Sequence, residues 1–415
     1  MTNQKPSILF ISENYPPENF AAAIRVYERG LYWKDWGYNT QFITSFPNRH
    51  RGKDHVGYSD KLYKDSEEGG LQVLRVKTYV PKRRGIFFRA LHQISFMISA
   101  FLGGLLKKKT SIIIVTTPQF FCSFSGLLLS KIKRVPFVLE VADIWTNSIK
   151  GTIKDNSLFF TFFLGLEEFI YKRSDAIVVL TEGFKKEISK RGISKEKIYV
   201  IKNGVNKARE VLQKTVNLRK EYNLENKFII GYAGSLGKAQ GLINLVEAAE
   251  ILHTKKIDNV SFVIIGEGDN KEDLEKRSGH LDNIIFIGSR PKELIPEYMS
   301  SFNIGIAHLN SSPVWKTTIP SKIFEMMSFS LPILLVSPQG EASELINLYK
   351  CGVCIPSGNP KALAQSVIEV MSDPQKMKNY AMNSLVASKS FRRDVQAQKM
   401  IDVVEKVISS KMKGI

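Results

Sequence analysis

"FIIGYAGSLGKAQGLINLVEAAEIL", residues 228 to 252, decides the fold. A short apolar run closes on Gly234, glycines return at 237 and 241, and a helical pattern follows. Strand, glycine-rich turn and helix in that order are the opening of a parallel βαβ unit. Working outward, the same alternation continues through "SFVIIGEG" (261–268), "IIFIGS" (284–289), "IGIAHL" (304–309), "PILLV" (332–336) and "GVCIP" (352–356). Upstream it has already run once, through "SILFIS" (7–12), "TQFITS" (40–45), "LQVLRV" (71–76), "SIIIVTT" (111–117), "FVLEVAD" (137–143), "AIVVLT" (176–181) and "IYVIKN" (198–203). The 415 residues therefore predict two doubly wound α/β domains in tandem. The polar stretch "NGVNKAREVLQKTVNLRKEYNLENK" places their boundary near residue 206, giving domains 1–205 and 206–390. The terminal "FRRDVQAQKMIDVVEKVISS" (391–410) predicts an amphipathic helix able to pack on either domain.

The net charge of +19 is uneven: residues 1–205 carry 32 basic against 18 acidic side chains, and residues 206–415 carry 27 against 22. Residues 69–139 hold twelve basic residues and no acid, a field that attracts nucleic acid, anionic lipid or a phosphorylated substrate. Three cysteines cannot staple so long a chain, and Cys351 with Cys354 lacks the further ligands of a closed zinc site, so "KCGVCIP" predicts a strand entry. The N-terminal apolar run ends at Ser12, which excludes a signal peptide. The longest uncharged apolar stretch, 90–106, is 17 residues and short of the roughly 20 that a bilayer needs. The chain reads as cytoplasmic.

In open α/β sheets ligands sit beyond the carboxyl ends of strands, where helix N-termini and loop amides attract anions. Two such sheets would put the site in the cleft between them. In the second half, the loop with Gly234, Gly237, Lys238 and Gly241 suits a phosphate. "IPSKIFEMMSFSLPILLV" starts a helix at Pro320 and Ser321 and sets Glu325 in its first turn, three residues after Lys322. Such a Lys and Glu can hold a phosphate and a ribose diol together. No D-x-D triplet exists and the histidines show no metal spacing, so neither a metal nor a cofactor is expected. In the first half, "SENYPPENFAAAIRVYERG" and "EVADIWTNS" follow strands, and Glu13, Arg25 and Asp143 are the charged groups placed to meet a second substrate.

The segments "ISENYPPENFAAAIRVYERGLYWKDWGYNTQFITSFPN", "PFVLEVADIWTNS", "DAIVVLTEGFKKEISKRGISKEKIYVIKNGVN", "GYAGSLGKAQGL" and "IPSKIFEMMSFSLPIL" cover nearly the whole chain in order. Their combination resembles glycosyltransferase family 4, the retaining GT-B enzymes, in the bacterial polysaccharide branch that includes N-acetyl-L-fucosamine transferases. The resemblance implies two tandem Rossmann-like domains facing a cleft, with a UDP-sugar donor in the C-terminal domain and an acceptor in the N-terminal one. It implies retention without a metal, and a last helix that returns to the first domain. By position it assigns Glu325 to the donor ribose, Ser289 and Arg290 to the base, and Asn203, Gly204 and Val205 to the domain junction. The family's first glutamate falls at Thr317, the glycine-loop Arg and Lys fall at Ser235 and Gln240, and Asp143 stands where the N-terminal histidine is absent. Diphosphate neutralisation is then expected from Lys322 with Lys238, beside Gly234, Ser235, Gly237, Gln240 and Ser321, with Asp143 or Glu13 orienting the acceptor hydroxyl.

A polyprenyl-diphosphate acceptor of O-antigen or capsule synthesis gives "GIFFRALHQISFMISAFLGGLLKKK" (85–109) a purpose. Leu91, Ile94, Ile98, Phe101, Leu102 and Leu105 recur at helical spacing after Phe87 and Phe88, with Arg83, Arg84 and Lys107–Lys109 at the ends. Residues 82–109 are expected to lie on an anionic membrane surface or to cover the sheet, and both can hold. A GDP-mannose-type donor and a sugar-nucleotide epimerase are the alternatives. No nucleic-acid-binding module accompanies the charge, so a nucleic-acid partner is not expected.

Overall fold

The computed structural model describes residues 5–18, 21–47, 61–81, 85–117, 120–149, 157–206 and 217–413. The chain divides into two compact units, residues 1–203 with 393–415, and residues 204–392. The first unit holds strands β1 (Ser7–Ile11), β2 (Asn39–Ser45), β3 (Tyr63–Glu68), β4 (Leu71–Val76), β5 (Ile112–Thr116), β6 (Phe137–Val141), β7 (Ala176–Val179) and β8 (Ile198–Val200). They form one sheet in the order β3-β4-β2-β1-β5-β6-β7-β8, parallel throughout except for β3. β1, β5, β6 and β7 are buried on both faces, which is why they read as largely apolar runs, β6 broken by the buried Glu140. β3, "YKDSEE", carries no such run, and the sequence reading missed it. As an antiparallel edge strand it needs only the backbone of β4, while its polar side chains meet solvent.

The second unit holds β9 (Phe228–Ala233), β10 (Val260–Ile265), β11 (Ile284–Gly288), β12 (Ile304–His308), β13 (Ile333–Val336) and β14 (Gly352–Ile355), all parallel, in the order β11-β10-β9-β12-β13-β14. Both sheets reverse direction beside their first strand, between β1 and β5 and between β9 and β12. That switch point is where an open α/β sheet leaves a crevice. The second sheet opens it visibly: β9 and β12 pair only at Ile230–Ile304 and Gly231–Gly305, leaving the last residues of both strands unpaired with each other. Each unit is Rossmann-like.

The helix Arg393–Lys413 belongs to the first unit, where Trp33 Nε1 donates to Ala397 O at 3.0 Å and Arg393 pairs with Glu28 at 2.8 Å. The helix Ile86–Leu106 buries Phe96 and Ala100 against β4 and its neighbours, and Gly103 and Gly104 let Leu74 and Leu129 approach. Its opposite face exposes Phe87, Leu91, Ile98, Leu102 and Leu105. The sequence reading judged this region too short to cross a bilayer because it counted only the uncharged stretch. The helix that forms takes in Arg89, and Phe87–Leu106 is long and apolar enough to cross a membrane by length and composition alone. Lys82, Arg83 and Arg84 lie outside the described residues. Among the described bases of the cluster, Arg75 is buried on Glu68 at 2.7 Å, and Lys107 meets Asp65 at 2.7 Å.

Candidate functional site

In the second unit the site is built on the splayed ends of β9 and β12. After β9 the chain turns sharply at Gly234, with φ +151°, where a Cβ would lie 2.7 Å from Lys322 Nζ. The neighbouring loop comes as close: a Cβ at Gly266 would meet Gly234 O at 1.8 Å, so only glycine permits this contact. The loop then folds over β12. Asn310 N donates to Ala239 O at 2.9 Å, Asn310 Nδ2 donates to Lys238 O at 3.1 Å, and Gln240 Oε1 accepts from Gly237 N at 3.2 Å.

Lys322, from the helix Ser321–Ser328, sets its ammonium 3.8 Å from the centre of the Tyr232 ring, a cation–π contact. Part of the side chain reaches solvent, but the ammonium is wrapped by protein, and burial pushes its pKa down to about 8 against the upward pull of Glu325. Glu325 itself is exposed. One detail of the sequence reading is corrected here. The helix starts at Ser321 after Pro320, as read, but Glu325 is the fifth helical residue, beyond the first turn, so the helix dipole does not account for its placement. Lys238 and Ser235 are exposed in the loop. Ser289 and Arg290 follow β11: Ser289 N donates to Glu267 Oε1 at 3.3 Å, and Arg290 Nε donates to Tyr298 Oη at 3.0 Å.

One neighbour of Lys322 escaped the sequence reading, which weighed the histidines only for metal spacing. His308, the last residue of β12, is 1% exposed, and its Nδ1 donates to the carbonyl of Gln240. Burial above all, with the nearby Lys322 charge, lowers its pKa to about 4 although the Gln240 bond opposes this. The imidazole is therefore neutral near pH 7.

The first unit's candidates are more closely tied. Arg25 is buried, its Nη1 donating to Asn203 Oδ1 at 2.9 Å and its Nε lying 3.6 Å from Glu140 Oε1. Arg29 Nη2 reaches the same Glu140 oxygen at 2.9 Å. Burial would raise the Glu140 pKa, but the two guanidiniums and hydrogen bonds from Arg29 and Thr116 outweigh it and bring it to about 2. Asp143, just past β6, keeps part of its surface in solvent, but burial of its carboxyl raises its pKa against the lowering field of Arg25. Glu13, after β1, is buried and pairs with His92 Nε2, while His92 Nδ1 faces Tyr79 O. Glu13 Oε2 is buried with no hydrogen-bond partner among the described residues. His92 lies 79 residues from Glu13 on the Ile86–Leu106 helix, and nothing in the local pattern announces that the two meet.

Comparison with known proteins decides the family. The profile Glycosyltransferase Family 4 matches residues 22–209, and Glycosyl transferases group 1 matches residues 214–385. The chain is a family 4 glycosyltransferase. Among relatives of this glycosyltransferase, WcaI of Escherichia coli (strain K12), named for colanic acid biosynthesis, is 26% identical over 396 residues, covering 89% of this chain and 93% of WcaI. The capsular polysaccharide biosynthesis glycosyltransferase CapM of Staphylococcus aureus is 22% identical over 305 residues, covering 71% of this chain and 75% of CapM. The GT-B fold is shared with HepE of Anabaena, solved in complex with UDP, at a TM-score of 0.72 and 18% identity, covering 96% of this chain and 100% of HepE. Sucrose-phosphate synthase of Thermosynechococcus elongatus matches at a TM-score of 0.76 and 16% identity, covering 98% and 100%.

Proposed function

We propose that this glycosyltransferase moves a sugar, an N-acetylated or deoxy hexose, from a UDP-sugar to a polyprenyl-diphosphate-linked acceptor, with retention at the anomeric carbon. The observation that carries the reading is the crevice between β9 and β12. A glycine loop, a buried cation (Lys322) and an exposed carboxylate (Glu325) one helical turn from it converge there, the equipment a nucleoside diphosphate needs. A UDP-bound neighbour of the same fold supports the uridine choice. In this reading Lys322, with Lys238, neutralises the diphosphate, Glu325 accepts from the ribose hydroxyls, and the loop at Ser289 and Arg290 borders the base.

The reaction breaks the bond from C1 to the phosphate oxygen and forms one from C1 to the acceptor oxygen on the same face. The acceptor proton passes to the departing phosphate oxygen. The protein's part is orientation and stabilisation of the growing diphosphate charge. In the first unit, Glu13 Oε2, buried and without a hydrogen-bond partner among the described residues, is the acceptor proposed for the sugar hydroxyl, with Asp143 and Arg25 in the same unit. Relatives in colanic acid and capsule synthesis support a cell-surface polysaccharide role, O-antigen or capsule. Membrane docking at the cytoplasmic face is supported by the exposed apolar face of the Ile86–Leu106 helix, with Phe87 65% exposed, and by Leu158 at 92% with Phe159 and Phe162 on the helix Leu158–Arg173.

Thermal-shift titration with UDP, GDP, dTDP and ADP, without added divalent metal, tests the donor assignment. UDP is expected to raise the melting temperature selectively, and Glu325→Ala to abolish most of that rise. A shift with GDP alone would move the chain to the guanosine donors, and no shift at millimolar nucleotide would sink the site.

A further inference from the structure

We propose that His308 reads the transferred sugar: its Nε2 accepts a hydrogen bond from a hydroxyl or acetamido N–H on that sugar, making His308 a donor-specificity residue. The inference rests on the proposed donor site and adds a contact to it. Three observations lead there. The Gln240 carbonyl can only accept, so Nδ1 carries the ring proton and Nε2 is left as a bare lone pair. That lone pair is buried and has no hydrogen-bond partner among the described residues. Burial of an unpaired acceptor is costly, so a ligand group that satisfies it gains affinity.

The position supplies the reason. His308 ends β12 at the point where β9 and β12 have parted, beneath the loop that carries Gly237 and Gln240. Tyr232, on β9, shares its core cluster with Ile304 and Ile306, the alternate residues of β12, so Tyr232 and His308 project to the same side of the sheet. The Lys322 ammonium stands over that Tyr232 ring.

The chemistry narrows the ligand group. A neutral imidazole nitrogen with a free lone pair repels phosphate oxygens, which are themselves acceptors. It attracts an O–H or N–H. The base and ribose are assigned to Ser289, Arg290 and Glu325, which leaves the hexose. A donor lacking a hydrogen-bonding group at the position facing Nε2 would leave the lone pair unpaired and bind less well. Discrimination of this kind is large, because the penalty falls on a buried polar group.

The test compares UDP with UDP-glucose, UDP-galactose and UDP-N-acetylglucosamine by calorimetry, in wild type and two variants. His308→Asn keeps a donor near the Nδ1 position for Gln240 but withdraws the outer acceptor. His308→Gln places an acceptor near the Nε2 position and sacrifices the Gln240 bond. For the best-binding sugar nucleotide, His308→Asn is expected to weaken affinity about fivefold relative to UDP, the value of one neutral hydrogen bond, and His308→Gln to restore the ratio. In 15N spectra of histidine-labelled wild type, the Nε2 resonance assigned through His308→Asn should move on adding the sugar nucleotide and stay still with UDP. An unchanged ratio, with a resonance indifferent to the sugar, would mean Nε2 bonds a buried water, and would overturn this inference while leaving the donor site intact. A loss shared equally by UDP and UDP-sugars would also overturn it, by moving the contact to the nucleotide. Absence of any nucleotide binding by wild type would remove the donor site and this contact together.

Discussion

The two sheets reverse direction in the same way, yet the groups at their switch points are treated differently. In the first unit the charges are largely spent on each other: Arg25 and Arg29 share Glu140, Arg25 also holds Asn203, and Glu13 holds His92 through one oxygen, its Oε2 being the exception with no hydrogen-bond partner among the described residues. In the second, the cation rests on an aromatic ring, the carboxylate stands in solvent, and a buried imidazole nitrogen has no partner among the described residues. Polar groups cross-linked at a strand end brace the fold. Those left unsatisfied there are held ready for a ligand, and their cost is recovered when it binds.

The strongest way to break that contrast is Glu140→Ala. It strands two buried guanidiniums without their anion, so the expected cost is about 3–5 kcal/mol of stability, read by denaturant unfolding. UDP binding by the folded fraction should stay within about twofold. A loss below about 1 kcal/mol would show that the first unit's cluster is not a brace.

Legibility from sequence follows the same division. Short apolar runs declared thirteen strands and hence the doubly wound fold, most plainly in central strands such as β1 and β5 that are buried on both faces. The polar edge β3 had no such constraint and stayed hidden. Within the site, the glycine loop, Lys322 and Glu325 were visible because they lie close together along the chain next to strand ends. His92 and His308 were not. Glu13 meets His92 through tertiary packing across 79 residues, and Gln240 meets His308 across 68, distances over which strand and helix periodicity carry no information.

A sharper probe of the second unit uses pH. Lys322 sits at about 8, below a free lysine, because burial disfavours its charge more than Glu325 restores it. Below that value the ammonium is present and UDP affinity should be flat, once the nucleotide phosphates are fully ionised. Above it the free protein loses the charge that binding requires, so affinity should fall by up to about tenfold per unit until the lysine of the complex also titrates. Lys322→Arg, charged throughout, should flatten the curve. An identical decline in that variant would assign the titration to another group and remove Lys322 from the diphosphate.

The mildest expected effect concerns the partner lysine. Lys238 is exposed on the loop, where water and salt screen its field. Lys238→Ala should therefore weaken UDP binding only about two- to threefold, in line with exposed ion pairs, and the loss should shrink further at high salt. Lys322→Ala should cost far more and depend less on salt, because its ammonium is already desolvated against Tyr232. If the two substitutions proved equal, the loop would have to close on the ligand and bury Lys238. The readiness of the second unit would then lie in the motion of its glycine loop as well as in the groups fixed at the ends of β9 and β12.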